Sequence, residues 1–161
     1  MTEIGRLKTG SGTPYRVFSP FHQAWLDAPR REIHPAPRAM TGLPEQVSGL
    51  PAGRRLEVLA DQAPPDGWPV APEEDAARRA LEEWLGSGLS TYRELHDRLA
   101  DPDSSSLLSP YLRWGCISPA EAESAALERG GPGAAAWTRQ LAWRDFCAHV
   151  LLHWPGNLDL E

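Results

Sequence analysis

Residues Trp137 to Trp154 read WTRQLAWRDFCAHVLLHW. Trp143, Phe146, Val150 and Trp154 recur at helical spacing, so the stretch is expected to form one long helix with an apolar stripe. Trp137, Gln140, Trp143 and Arg144 fall at 0, +3, +6 and +7, which sets them near one another along one side of that helix. An indole, an amide and a guanidinium on one face make a surface able to stack on a planar ring and grip a phosphate. The same letters also describe a buried helix whose arginines snorkel to solvent, and composition alone leaves both readings open. Pro155 stops the helix, and the glycines at 131 and 133 are expected to break the chain before it starts near Ala134.

Working outward, the rest of the chain past Pro72 also reads as helix. Pro72 suits a first helical position, Glu73, Glu74 and Asp75 suit the positive end of the helix dipole, and Ala77, Leu81, Trp84 and Leu85 form an inward face. Gly86 and Gly88 end that helix. A second helix is expected from Ser90 to Ala100, with Tyr92, Leu95 and Leu99 on one side. A loop follows over Asp101 to Ser106, then a short helix over Pro110 to Gly115. Ser118-Pro119-Ala120-Glu121 is a capping box with proline at the first helical position, predicting a helix that ends near Gly130.

Residues 28–72 hold nine of the sixteen prolines and show no apolar period, so a linker is expected there, with one short strand or turn at Leu56 to Ala60. Before it, Pro14 is expected to open a short helix with Val17, Phe18, Phe21 and Trp25 inward, and Pro20 to kink it. Thr9-Gly10-Ser11-Gly12 lacks the GxxxxGK[ST] spacing of a phosphate loop and reads as a turn. The fold class expected is therefore mainly α.

The 161 residues suffice for one domain with a core. A net charge of −6 argues against nucleic-acid binding over the whole surface, yet is compatible with a local basic groove. Cys116 and Cys147 lie far apart without a CxxC pattern, so neither a metal site nor a disulfide framework is expected, and Cys147 reads as a small buried residue. No apolar run approaches a membrane span and residues 1–30 lack a signal-peptide core, so the expectation is a cytoplasmic monomer with no membrane contact.

Four blocks in order carry a family resemblance. WTRQLAWRDF resembles the W/F-x-x-E/Q-L-x-W-R-E/D-F helix of the DNA photolyase and cryptochrome family. Ser104 to Pro119, SSSLLSPYLRWGCISP, is similar to that family's T-S-x-L-S-P-Y-L-x-x-G-x-L/I-S-P segment, and Tyr92 matches the tyrosine that precedes it. Thr9 to Trp25, TGSGTPYRVFSPFHQAW, resembles the stretch that closes the family's α/β antenna domain. The resemblance implies that residues 1–27 end an antenna domain, 28–71 form an inter-domain linker, and 72–161 begin a helical FAD-binding domain. It further implies a partial chain that binds FAD weakly and is inactive by itself.

What the resemblance implies about chemistry is specific. FAD contacts are expected at Tyr92, Ser105, Ser106, Leu107, Leu108, Ser109, Trp137 and Arg144. Serine hydroxyls beside the N–H groups of a helix start, Ser104 among them, would suit a pyrophosphate. The implied substrate is UV-damaged DNA, with a pyrimidine dimer flipped from the duplex. Trp143 would stack on it and Gln140 would bond its exposed edge, these two being the catalytic candidates. Arg144 and Cys147 complete the implied DNA contacts, and Arg139 reads as a solvated groove-edge charge. The implied reaction is blue-light-driven splitting of cyclobutane dimers by an electron from reduced flavin, with a second antenna chromophore of unspecified kind in the full-length protein.

Three departures bear on this. Leu107 stands where the family often has arginine, His96 where it has an arginine after the flavin tyrosine, and Gln140 where many dimer-repairing members have glutamate. The last keeps (6-4) photoproduct repair and a cryptochrome-type photoreceptor as alternatives. A flavin-free helical interaction domain is a third.

Overall fold

The period that builds the long helix is not the apolar stripe of the sequence reading. In the computed structural model, which describes residues 2–34, 70–71, 73–98 and 100–159, the buried positions are Gly133, Ala134, Trp137, Thr138, Leu141, Ala142, Asp145, Phe146 and His149. They form four adjacent pairs that recur every four residues, with His149 continuing the series, so the inward stripe drifts slowly along the axis and stays continuous. Trp143, expected within the stripe, is instead 37% exposed, and Val150 and Trp154 are only half-buried.

The described helices are α1 (Phe18–Asp27), α2 (Glu74–Gly86), α3 (Tyr92–Leu95), α4 (Ser109–Trp114), α5 (Pro119–Arg129) and α6 (Gly131–His153). Single 3₁₀ turns occur at Pro102–Ser104 and Pro155–Leu158. Among the described residues there is no strand, only an isolated antiparallel bridge between Lys8 and Pro14. These helices belong to one unit, Met1–Ile33 with Pro72–Glu161, while His34–Ala71 cluster separately. Most of the Pro-rich stretch, with the strand or turn expected at Leu56 to Ala60, lies outside the described residues, as do Pro72 and Leu99.

Local chemistry explains each boundary. The Ser118 hydroxyl accepts from the Ala120 N–H at 3.2 Å, and Pro119 takes the first position of α5. Gly115 closes α4 in the left-handed region, φ 73°. Pro20 does not kink α1: it sits in the first turn, where no helical N–H is needed. Pro14 opens no helix, because it lies in the bridge that closes the Thr9–Thr13 turn.

The helix expected over Ser90 to Ala100 is cut to one turn, Tyr92–Leu95. The glycines at 131 and 133 do not break the chain either. Pro132 is tolerated in the opening turn of α6, and Gly133 is required inside it, since a Cβ there would collide with the Leu89 carbonyl oxygen. That contact brings α6 against the loop between α2 and α3, so the glycine lets Trp137, one turn on, approach Tyr92.

α6 is the central element, packing against α1, α3 and α5. Phe18, Phe21, Trp25, Ala142 and Phe146 form an aromatic core between α1 and α6. Two buried carboxylates pin it. Asp145 accepts from the Trp25 indole N–H at 2.9 Å and from the Thr2 N–H at 3.2 Å. Glu123, on α5, receives Arg30 Nε at 2.8 Å, while Arg30 also caps the end of α1 by donating to the carbonyls of Trp25 and Ala28. Its guanidinium lies 4.0 Å over the Trp25 ring. Arginine suits such a site because its planar fork bonds several acceptors and stacks at once.

Candidate functional site

The edge of α6's buried stripe, with the exposed Gln140 and Arg144 beside it, meets the 105–113 segment at a cavity of about 730 Å³. That volume is within the roughly 300–1,000 Å³ of small-molecule sites. It is lined by Tyr92, Ser105, Ser106, Ser109, Leu112, Arg113, Trp137, Gln140, Leu141 and Arg144. α6 supplies Trp137, Gln140, Leu141 and Arg144, which the 3.6-residue period stacks over successive turns. α4 supplies Ser109, Leu112 and Arg113 by the same rule.

Each wall has a distinct chemistry. Trp137 is buried, with Trp84 behind it at 6.3 Å between ring centroids, and Trp84 in turn stands edge-on to Tyr92 at 5.5 Å. The three rings brace one another, so the indole is held as a fixed wall. Burial, and then the charge of Asp97, push the Tyr92 phenol up from its ordinary range, so at neutral pH it keeps its proton and can donate a hydrogen bond. Ser105 and Ser106 accept weakly from the N–H groups of Leu107 and Leu108, at 3.4 and 3.5 Å, which leaves their hydroxyl protons free to donate. Arg144 approaches the neighbouring carboxylate of Asp145 at 3.9 Å and is half-exposed.

Of the residues expected to touch FAD, the structure brings Tyr92, Ser105, Ser106, Ser109, Trp137 and Arg144 to this one cavity, together with Gln140. It does not bring Leu107 or Leu108. Leu107 takes a left-handed backbone, φ 50°, and is exposed, while Leu108 is fully buried beneath the turn. Ser104 is also turned away: its hydroxyl is used by the carbonyls of Arg98 and Asp101 at 2.9 and 2.7 Å. His96 pairs with Asp97 at 3.5 Å and is not among the lining residues.

Trp143 and Cys147 lie outside the cavity as well. The Trp143 indole is stacked on Phe18 at 3.7 Å between centroids and 9° between planes, with Phe146 edge-on at 5.7 Å. Cys147 is exposed, not buried as its type suggested. Arg139 is not simply solvated, because its guanidinium sits 5.3 Å over the Phe18 ring. Leu112, Arg113 and Leu141 were missed by sequence reasoning. The signal was present, since Arg113 follows Ser109, and Leu141 follows Trp137, by one helical turn. Among the described residues no group of His, Cys, Asp and Glu could hold a metal ion, and no helix is long and apolar enough to cross a membrane.

The cavity of this helical unit, with aromatic walls, hydroxyls and guanidinium groups, has the chemistry to accept a planar ring system that carries an anionic group. Comparison with known proteins makes this specific. No family model matches the chain. It is 36% identical over 151 residues to the deoxyribodipyrimidine photo-lyase of Streptomyces griseus, covering 92% of this chain and 31% of that protein. It is 39% identical over 144 residues to a protein of that name from Thermus thermophilus, covering 88% and 30%. The crystal structure of a bacterial class III photolyase from Agrobacterium tumefaciens superposes with a TM-score of 0.79 at 30% identity, over 96% of this chain and 33% of that one. The chain is thus a partial member of the DNA photolyase/cryptochrome family, spanning about a third of the length of the relatives it matches.

Proposed function

We propose that this chain is part of a blue-light-driven, FAD-dependent DNA repair enzyme, a deoxyribodipyrimidine photo-lyase acting on cyclobutane pyrimidine dimers. The observation that carries the reading is the convergence of Tyr92, Ser105, Ser106, Ser109, Trp137 and Arg144 on one cavity. The donor set fits FAD. Hydroxyls and guanidinium groups suit its pyrophosphate, and Trp137, Leu112 and Leu141 suit its rings. When bound, reduced flavin supplies the light-driven electron that opens the dimer. The residues here bind and orient: Tyr92 donates a hydrogen bond, Trp137 walls the cavity, and Gln140 donates and accepts at the substrate side without transferring a proton. Among the described lining residues there is no carboxylate, histidine or cysteine, which suits chemistry borne by the cofactor.

Within this reading, residues 1–27 close an antenna domain that holds a second chromophore, 28–71 link it, and 72–161 open the FAD domain. The enzyme is a cytoplasmic monomer. Titration of this chain with FAD, followed by quenching of flavin fluorescence, tests the reading. Weak, saturable quenching is expected, abolished by Trp137→Ala in a variant whose helical circular dichroism is intact. No saturable quenching in the unaltered chain overturns the reading.

A further inference from the structure

The cavity contains two cations and, among its described lining residues, no anion. They are not equivalent. Arg144 has Asp145 beside it at 3.9 Å, so part of its field is already answered. Arg113 makes no ion pair or hydrogen bond with any described residue, and it is exposed on α4 one turn beyond Ser109. The helical period therefore places a free guanidinium and a free hydroxyl on the same wall, facing Ser105 and Ser106.

The neighbouring turn explains why this position matters in this chain. Residue 107, where the resembling segment often carries arginine, is leucine here. Its backbone is left-handed at φ 50° and its side chain does not line the cavity. The charge absent at 107 is present at 113, from a different element. We infer that Arg113 is the phosphate-binding cation of this cavity, gripping the pyrophosphate of its ligand together with the hydroxyls of Ser105, Ser106 and Ser109. A planar fork of five donors is suited to two adjacent phosphates in a way that a lone hydroxyl is not. The inference rests on the flavin reading of the cavity and names the residue that would select the dinucleotide over its phosphate-free core.

The test titrates the chain with FAD and with riboflavin, which shares the ring system and lacks phosphate. Arg113→Gln is compared with Arg113→Lys and with Arg79→Gln, an exposed arginine on α2 that controls for net charge. Melting curves establish that each variant is folded. Arg113→Gln is expected to weaken FAD about tenfold, the loss of one charge-assisted contact. Riboflavin should be unaffected, Arg113→Lys should recover part of the loss, and the salt dependence of FAD binding should flatten. Equal FAD affinity for Arg113→Gln, Arg79→Gln and the unaltered chain overturns the inference while leaving the flavin reading intact. An unaltered chain that holds riboflavin as tightly as FAD also overturns it. An unaltered chain that binds neither ligand overturns the flavin reading, and the inference falls with it.

Discussion

Replacing Trp143 by alanine separates two roles that the sequence pattern merges. The structure gives the indole a packing role, since it lies flat on Phe18 at 3.7 Å and meets the edge of Phe146 at 5.7 Å. With 37% of the residue exposed, about 150 Å² of a tryptophan's surface is covered, which at about 25 cal/mol per Å² corresponds to at most about 4 kcal/mol. A surface site relaxes after truncation, so the cavity penalty of a deep core position is small, and the edge-on contact with Phe146 adds back about 0.5–1.5 kcal/mol. The expected loss for Trp143→Ala is therefore about 2–4 kcal/mol, or roughly 5–15 °C in Tm for a chain of this size.

A substrate role predicts something further. A lost base stack weakens binding by about 1–3 kcal/mol, and this should fall on damaged DNA alone, because undamaged duplex is held mainly through phosphates. The assay is thermal melting beside affinity for duplexes with and without one cyclobutane thymine dimer, measured well below the melting point. Trp143→Phe, which preserves a flat ring on Phe18, should retain most of the stability and most of the preference for damage. An unchanged Tm in Trp143→Ala would refute the stacking argument. An unchanged ratio of damaged to undamaged affinity, with Tm lowered, would confine Trp143 to holding α1 on α6.

Two other perturbations follow from the packing. Arg30→Met removes a charge-assisted contact of the buried Glu123 carboxylate together with both carbonyl contacts at the end of α1 and should cost about 1.5–3 kcal/mol, whereas Arg30→Lys should recover little because it cannot reach Glu123 and the carbonyls of Trp25 and Ala28 together; equal melting temperatures for all three proteins would count against the pin. His149 is nearly inaccessible, and burial, then His153, hold its pKa below the ordinary 6.5 against the opposing pull of the Tyr15 backbone. Because the unfolded chain then binds more protons, stability is full above about pH 6.5 and falls as the pH drops below it. Melting temperatures from pH 7.5 to 5.5 should show that decline, and a His149→Gln variant should show a shallower one; identical slopes would dismiss His149 as the group responsible.

Much of the site was legible because helical period and hydroxyl placement are properties of neighbouring residues. Trp137, Gln140 and Arg144 share a face by arithmetic alone, and the capping box at Ser118 announces α5 through contacts two residues long. What failed depended on distant partners. Trp143 reads as an apolar-stripe residue or a free platform until Phe18, on another helix, is known to cover one of its faces. Asp145 carries no signal of its own in the sequence, because its carboxylate is buried by Trp25 and Thr2, which precede it by 120 and 143 residues. Gly133 reads as a breaker until the Leu89 carbonyl is seen against it.

The same distinction explains why Arg113 went unassigned and why the cavity needs it. Sequence patterns mark ligand contacts by the turn that bears them, and the turn from Ser105 to Ser109 is retained here in its hydroxyls. Its left-handed residue, Leu107, carries no charge and points elsewhere. A pocket that faces an anion is constrained by its summed field and donor geometry, not by which element contributes the cation. With Arg144 partly answered by the Asp145 carboxylate that also pins α6 to α1, the cation free to meet a ligand comes from α4. Structural and ligand-binding demands thus meet on adjacent residues of α6. Removing the Asp145 charge should both loosen the α1 contact and release the Arg144 field into the cavity, so stability and anion affinity are expected to move in opposite directions.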